Sequence, residues 1–282
     1  MNPVARLISL IILSGFFTFF SGKIALAEAN SQSLNFSIFQ LNNHENPDFY
    51  EHFEDLGIEG SILIIDFNKN LIHQYNPARN ETSFLPASTF KIPNSLIALE
   101  TQAIENDISI LTWDGITRSY PAWNRDLNIR LAFQTSAIWF YQVLARRIGY
   151  EQMQEWITDI GYGNQNIGSV SEIDTFWLTG DLRITPQEQI QFLQRLYKNE
   201  LPFSENTIAI VKDIMIVEQT PDYTMRAKTG WALASNVGWY VGYLEQNDNV
   251  YFFATNIDIQ DESDLEARQA ITRRCLASLN LL

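Results

Sequence analysis

The sequence predicts an α+β fold: a mainly antiparallel sheet flanked by N- and C-terminal helices, with an all-helical domain inserted between its strands. Three observations lead there. Alternating, β-rich segments cluster at residues 60–75 and again at residues 223–258. The stretch between them, residues 88–217, is dominated by helical periodicity with recognisable caps and stops. Short turns join neighbouring strands, which makes their pairing antiparallel.

Composition sets the limits. The chain has 282 residues, 46% hydrophobic and 13% aromatic, enough to bury a substantial core in one or two domains. Its formal net charge is −14, and residues 1–27 contribute +2, which leaves −16 on the remainder. So acidic a chain is unsuited to nucleic acid or an anionic membrane surface.

Taken in order, residues 1–27 read as an export signal. Arg6 supplies the positive start, residues 7–20 are an apolar run, and Ala25-Leu26-Ala27 offers the small residues a signal peptidase reads. Lys23 ends the run short of the roughly 20 residues that span a bilayer. Cleavage after Ala27 implies a periplasmic or secreted protein of residues 28–282, with no membrane attachment. The single cysteine, Cys275, excludes an internal disulfide and suits the packing of a C-terminal helix.

Residues 34–41 alternate as a strand does, and residues 47–56 fit a short helix stopped by Gly57. Residues 60–67 and 71–75 form a hairpin around Asn68-Lys69-Asn70. Helices are expected from Ser88 and at residues 94–104, 127–148, 151–160 and 206–217, with Gly161 stopping the third of those spans. Pro93 makes the helix that starts at Ser88 either irregular there or strained at its start. Thr185, Pro186 and Glu188 form a capping box for a further helix. Strands return at residues 223–228, 236–245 and 250–258, and a second capping box, Ser263 with Glu266, opens a last helix to residue 279. The α/β part is therefore drawn from residues 28–87 and 218–282, the helical part from 88–217. Ser88 lies at their junction, where pockets form.

Two short motifs carry chemistry. In Ser88-Thr89-Phe90-Lys91 the lysine stands one helical turn from the serine, a nucleophile beside a nitrogen base. A lysine acts as a base only when burial lowers its pKa from about 10.4. In Lys228-Thr229-Gly230-Trp231, at a strand end, the lysine offers a positive charge, the threonine a hydroxyl, and the glycine close approach to the backbone. Other chemistries lack support. Gly-x-Ser-x-Gly is absent, and His44, His52 and His73 all precede the serine in no known motif. No His or Cys spacing suits zinc, and Gly161, Gly163 and Gly168 do not make a dinucleotide fingerprint.

Ser88-x-x-Lys91 followed by Lys228-Thr229-Gly230 resembles the penicillin-recognising serine enzymes. Ser-Asp-Asn is missing; the chain has Ser136-Ala137-Ile138, Tyr162-Gly163-Asn164 and Phe176-Trp177-Leu178. This order is similar to that of the class D, oxacillinase-type, β-lactamases and spans residues 53–268. Ile138 departs from the family, which more often has valine there.

The resemblance implies a β-lactamase/transpeptidase-like fold and an acyl-enzyme on Ser88. It implies that Lys91 reacts with carbon dioxide, drawn from dissolved bicarbonate, to give N6-carboxylysine, the general base for acylation and deacylation. No bound cofactor or metal is implied. Phe90, Ile138, Trp177 and Leu178 would desolvate Lys91, and the Trp177 indole would donate to the carbamate. The backbone N–H groups of Ser88 and Trp231 would form the oxyanion hole. Ser136 and Lys228 would deliver a proton to the lactam nitrogen, Thr229 and Arg268 would hold the substrate carboxylate, and Gly230, Tyr162 and Asn164 would shape the site. The expected substrates are penicillins, oxacillin-like ones included, and the expected state is a monomer or homodimer. A β-lactam sensor that acylates without turnover is the alternative. A D-Ala-D-Ala peptidase is disfavoured by the missing Ser-x-Asn.

Overall fold

The structure is a computed structural model that describes residues 48–282; the export signal and the strand expected at residues 34–41 lie outside the described residues. α1 (Tyr50–Glu54) is followed by Gly57 at φ +63°. β1 (Gly60–Asp66) and β2 (Leu71–Tyr75) form the expected hairpin, with Ile62 opposite Tyr75 and Asp66 opposite Leu71. α2 (Pro77–Asn80) then leads to the serine segment.

That segment is two pieces, a 3₁₀ turn, Ala87–Phe90, and α3 (Lys91–Glu100). The change of pitch moves Pro93 into the first turn of α3, where no carbonyl needs its missing N–H. The expected irregularity at Pro93 is thereby removed. The other expected outcome, strain at the start, is met at Ala87, φ +49°, a conformation that costs an L-residue about 1–2 kcal/mol.

The helix expected over residues 127–148 is also interrupted. α4 (Ile129–Gln134) and α5 (Ile138–Ile148) are separated by Ser136 at φ +57°. α6 (Tyr150–Asp159) and α7 (Pro186–Tyr197) follow, the latter with the Thr185–Glu188 capping box formed. α8 (Glu205–Ile214) is shorter than expected because the chain turns into an unforeseen strand, β3 (Ile216–Gln219).

β4 (Tyr223–Ala232) runs past Lys228, so the Lys-Thr-Gly-Trp motif lies within a strand and not at its end. β5 (Val237–Gln246) and β6 (Asn249–Asp258) are joined by Asn247 and Asp248, both at positive φ, as a two-residue hairpin turn requires. Ahead of α9 (Ala267–Ser278), the capping box is Asp261 with Asp264 around a 3₁₀ turn, not Ser263 with Glu266. Asp261 accepts from the Ser263 N–H at 2.7 Å, which moves the start upstream.

The sheet order is β2-β1-β6-β5-β4-β3, antiparallel throughout. β6 is inserted between β1 and β5, so both ends of the described chain share one sheet. α7 covers one face above a core that includes Trp239 and Phe252. α1 and α9 cover the other, packing Phe53, Ile271 and Leu276 into a core with Ile62, Tyr240 and Phe253 of the sheet. β3 reaches only to Arg226 of β4, which leaves the β4 edge beyond it without a strand partner on that side. The Ser88 turn packs against that part of β4.

Candidate active site

The Ser88 turn is held from every side. Ala87 donates its N–H to the Trp177 carbonyl at 2.9 Å, and the Trp239 indole donates to the Leu85 carbonyl at 2.9 Å. Thr89 Oγ1 donates to the Pro86 carbonyl at 2.7 Å and accepts from Gln189 Nε2 at 2.8 Å. Tyr162, wholly buried, donates to Gln189 Oε1 at 3.4 Å. Ala87, Thr89 and Phe90 are buried, and Ser88 alone in the turn stays half-open.

Lys91 is fully buried, and its Nζ lies 2.7 Å from Ser88 Oγ. Burial, with the nearby charge of Lys228, drives its pKa well below the ordinary lysine value. It also opens α3, so it stands at the positive end of the helix dipole, which further disfavours a charge. Its surroundings are aromatic. Nζ is 5.3 Å from the centre of the Tyr141 ring. The Tyr141 hydroxyl bonds Ser95 Oγ at 2.9 Å, and Ser95 Oγ donates to the Lys91 carbonyl at 2.7 Å. Phe90 stacks on Trp177 at 5.3 Å and meets Phe176 and Tyr162 edge-on at 5.0 and 5.8 Å.

A cavity of about 230 Å³ brings together Ser88, Ser136, Ile138, Thr229, Trp231 and Arg268. The helix break that places Ser136 here is the one at φ +57°. Arg268 Nη1 donates to the Gly230 carbonyl and Nε to the Leu265 carbonyl, both at 2.6 Å. Burial pushes its pKa down to about 10, so it remains a cation at neutral pH. Lys228 is 5% exposed, and its Nζ donates to Thr229 O and Oγ1 at 3.2 and 3.4 Å. Burial first, and then the charge of Arg268, push its pKa down to about 7. It lines a smaller hollow of about 130 Å³, which shares Thr229 with the main cavity.

Gly230 lines the cavity too, and its missing side chain has a second consequence. A Cβ there would stand 3.2 Å from Pro86 O and from Thr89 Cγ2, so its missing side chain admits the nucleophile turn against β4. Lys91 and Trp177 lie in the floor behind Ser88. Tyr162, Asn164 and Leu178 do not line the cavity. Asn164 bonds the backbone of Asp181 and Arg183 and ties its loop in place, while Leu178 packs at the core edge.

Sequence reasoning missed Tyr120, Trp123, Leu233 and Leu265, which form an apolar rim. Tyr120 and Trp123 rings lie 4.7 Å apart, and Trp123 Nε1 donates to the Thr135 carbonyl at 2.8 Å beside Ser136. The aromatic density of residues 113–123 was the available signal. A larger hollow of about 470 Å³, between Pro221 and Asn249, contains none of the motif residues.

Residues 59–277 match the family described as penicillin binding protein transpeptidase domain. The chain is 42% identical to Beta-lactamase OXA-48 from Klebsiella pneumoniae, over 82% of this chain and 88% of that one. It is 40% identical to Beta-lactamase OXA-5 from Pseudomonas aeruginosa, over 84% and 90%. Among solved structures, the class D β-lactamase YbXI from Nostoc is 59% identical with a TM-score of 0.83, covering 84% of this chain and all of that one. FUS-1 (OXA-85) from Fusobacterium nucleatum subsp. polymorphum is 39% identical with a TM-score of 0.81, covering 85% and all of that chain. The fold and its serine site are those of the penicillin-recognising transpeptidase family. Within it, the chain belongs to the class D β-lactamases.

Proposed function

We propose that this enzyme hydrolyses the β-lactam amide through an acyl-enzyme on Ser88, with carboxylated Lys91 as general base in both half-reactions. The observation that carries this is the 2.7 Å approach of a fully buried, charge-disfavouring lysine to the one half-open hydroxyl of its turn. A neutral amine is the form that combines with carbon dioxide, losing one proton, and the buried Lys91 fits that requirement. A carbamate there would supply an oxygen base of suitable strength. Trp177, in the same floor, is the candidate donor to it.

The remaining roles are those that the class D resemblance implies. Ser88 attacks the lactam carbonyl while its own N–H and that of Trp231 receive the developing oxyanion. Ser136, on the opposite wall, passes a proton to the lactam nitrogen, and Lys228 supports that transfer by its charge. Thr229 and Arg268 bind the substrate carboxylate, a charge-assisted pairing. The rim of Tyr120, Trp123 and Leu233 offers apolar surface to the acyl side chain of penicillins, oxacillin-like ones included. Residues 1–27 would direct export to the periplasm or beyond.

The test uses purified residues 28–282 with excess chromogenic cephalosporin, with and without bicarbonate, while intact mass is followed. Many turnovers that rise with bicarbonate are expected. A single stoichiometric burst with a lasting adduct on Ser88 would instead identify a β-lactam sensor.

A further inference from the structure

Before any carboxylation of Lys91, no carboxylate among the described residues balances either of the two lysines that the site buries. The proposed chemistry needs them in opposite states, Lys91 neutral and Lys228 charged, so something must keep the proton on Lys228. Among the described residues, the charge that bears on Lys228 is the Arg268 cation on α9, with Lys91 on α3 adding to it only while it is unmodified and protonated. Once carboxylated, Lys91 would be an anion and would itself favour charge on Lys228. On β5, Tyr240, which lines the same small hollow, is held neutral by burial. Lys228 has three favourable neighbours: the two Thr229 oxygens, at long distance, and the face of Phe133. The Phe133 ring centre is 5.5 Å from Nζ, and the ring itself is 3% exposed at the end of α4. An ammonium over a desolvated aromatic face is stabilised more strongly than one over an exposed face.

We propose that Phe133 is a positioning residue whose ring face retains the charge on Lys228, and that this charge in turn helps to hold Lys91 neutral. The inference rests on the reading of Lys228 as a working cation. Its location suits the role. α4 ends two residues before Ser136, so the ring that steadies Lys228 belongs to the element that delivers the proposed proton relay. Lys91 also lies near a ring, that of Tyr141, but at a helix N-terminus and with only a hydroxyl as its polar neighbour. The two environments therefore favour charge on Lys228.

The test replaces Phe133 with mono-, di- and trifluorinated phenylalanine, which keep its shape while weakening the negative ring face. The readout is the pH profile of kcat/KM for a penicillin. If Lys228 must be protonated, activity falls as pH rises through its pKa; weakening the ring lowers that pKa, so the alkaline limb moves to lower pH. A stepwise displacement totalling about half to one pH unit is expected. Phe133→Leu should show the same shift and Phe133→Trp should reverse it. Superimposable profiles across the fluorinated series would overturn the proposal. Lys228→Arg separates the two readings. An arginine stays charged, so the alkaline limb should move upward; an unmoved limb would refute the role of Lys228 itself, whereas a limb that moves only in Lys228→Arg would refute Phe133.

Discussion

The floor behind Ser88 and the wall formed by β4 and α9 each bury a basic side chain, and they treat it differently. In the floor, Lys91 meets aromatic rings, a hydroxyl and a helix N-terminus. In the wall, Lys228 and Arg268 each donate to backbone carbonyls. The floor makes charge unfavourable, and the wall keeps part of it. The same residue type can thus be held in different charge states on the two sides of a serine, with no acidic side chain among the described residues paired to either.

Lys91→Met breaks the comparison most severely. It removes the proposed base, and kcat should fall about 10²–10⁴-fold, with any bicarbonate dependence lost. Stability should change in the opposite direction. Lys91 has a lower pKa folded than unfolded, so the unfolded chain binds more protons, and stability due to this group rises with pH. The buried amine therefore costs most at pH values well below 10.4, and that cost vanishes as pH approaches the unfolded value. Methionine fills the space without the charge, so Tm at pH 7 should exceed that of the parent, and the difference should shrink toward pH 10. Parent-like turnover, or a lower Tm at pH 7, would contradict the picture of the floor.

Arg268→Ala tests the wall. Loss of a charge-assisted contact of about 1.5–3 kcal/mol should raise KM for a carboxylate-bearing penicillin about 10–100-fold. Burst amplitude at saturating substrate should be retained, because the floor is untouched. A fall in kcat with KM unchanged would assign Arg268 to the chemistry and erase the distinction between floor and wall.

How far the sequence disclosed this arrangement depended on the range over which each signal acts. Local signals were read well: the β1–β2 hairpin and the Thr185 capping box each depend on a few neighbouring residues. Ser88, Lys91, Lys228 and Thr229 were found because their motifs are short and contiguous. The helix break at Ser136 was not foreseen, since helical periodicity runs on across it and tertiary packing imposes the positive φ. β3 was missed because four residues pairing with β4 leave little periodic trace. The apolar rim was missed for another reason: Tyr120, Leu233 and Leu265 come from three separate segments that only the fold brings together. That Gly230 also admits the nucleophile turn was not foreseen, because a sequence cannot say what packs against a strand.

The smallest expected effect distinguishes the wall's shape from its charge. A Cβ at Gly238 would stand 2.7 Å from Ile259 Cδ1 and 2.9 Å from Arg268 Cδ, both side-chain atoms that can give way. A Cβ at Gly242, on the same strand, would stand 2.2 Å from the Arg226 carbonyl, which cannot. Gly238→Ala should therefore fold, displace Arg268 slightly and raise KM about two- to five-fold, a loss of under about 1 kcal/mol with kcat retained. Gly242→Ala should lower Tm more, by overpacking worth about 1–3 kcal/mol, while leaving KM unchanged in the protein that folds. If Gly238→Ala altered stability alone, the position of Arg268 would be immaterial to substrate binding, and Thr229 would be left as the sole ligand of the carboxylate. If KM rose, the carboxylate would be read by an arginine whose place is set by an absent side chain on the neighbouring strand.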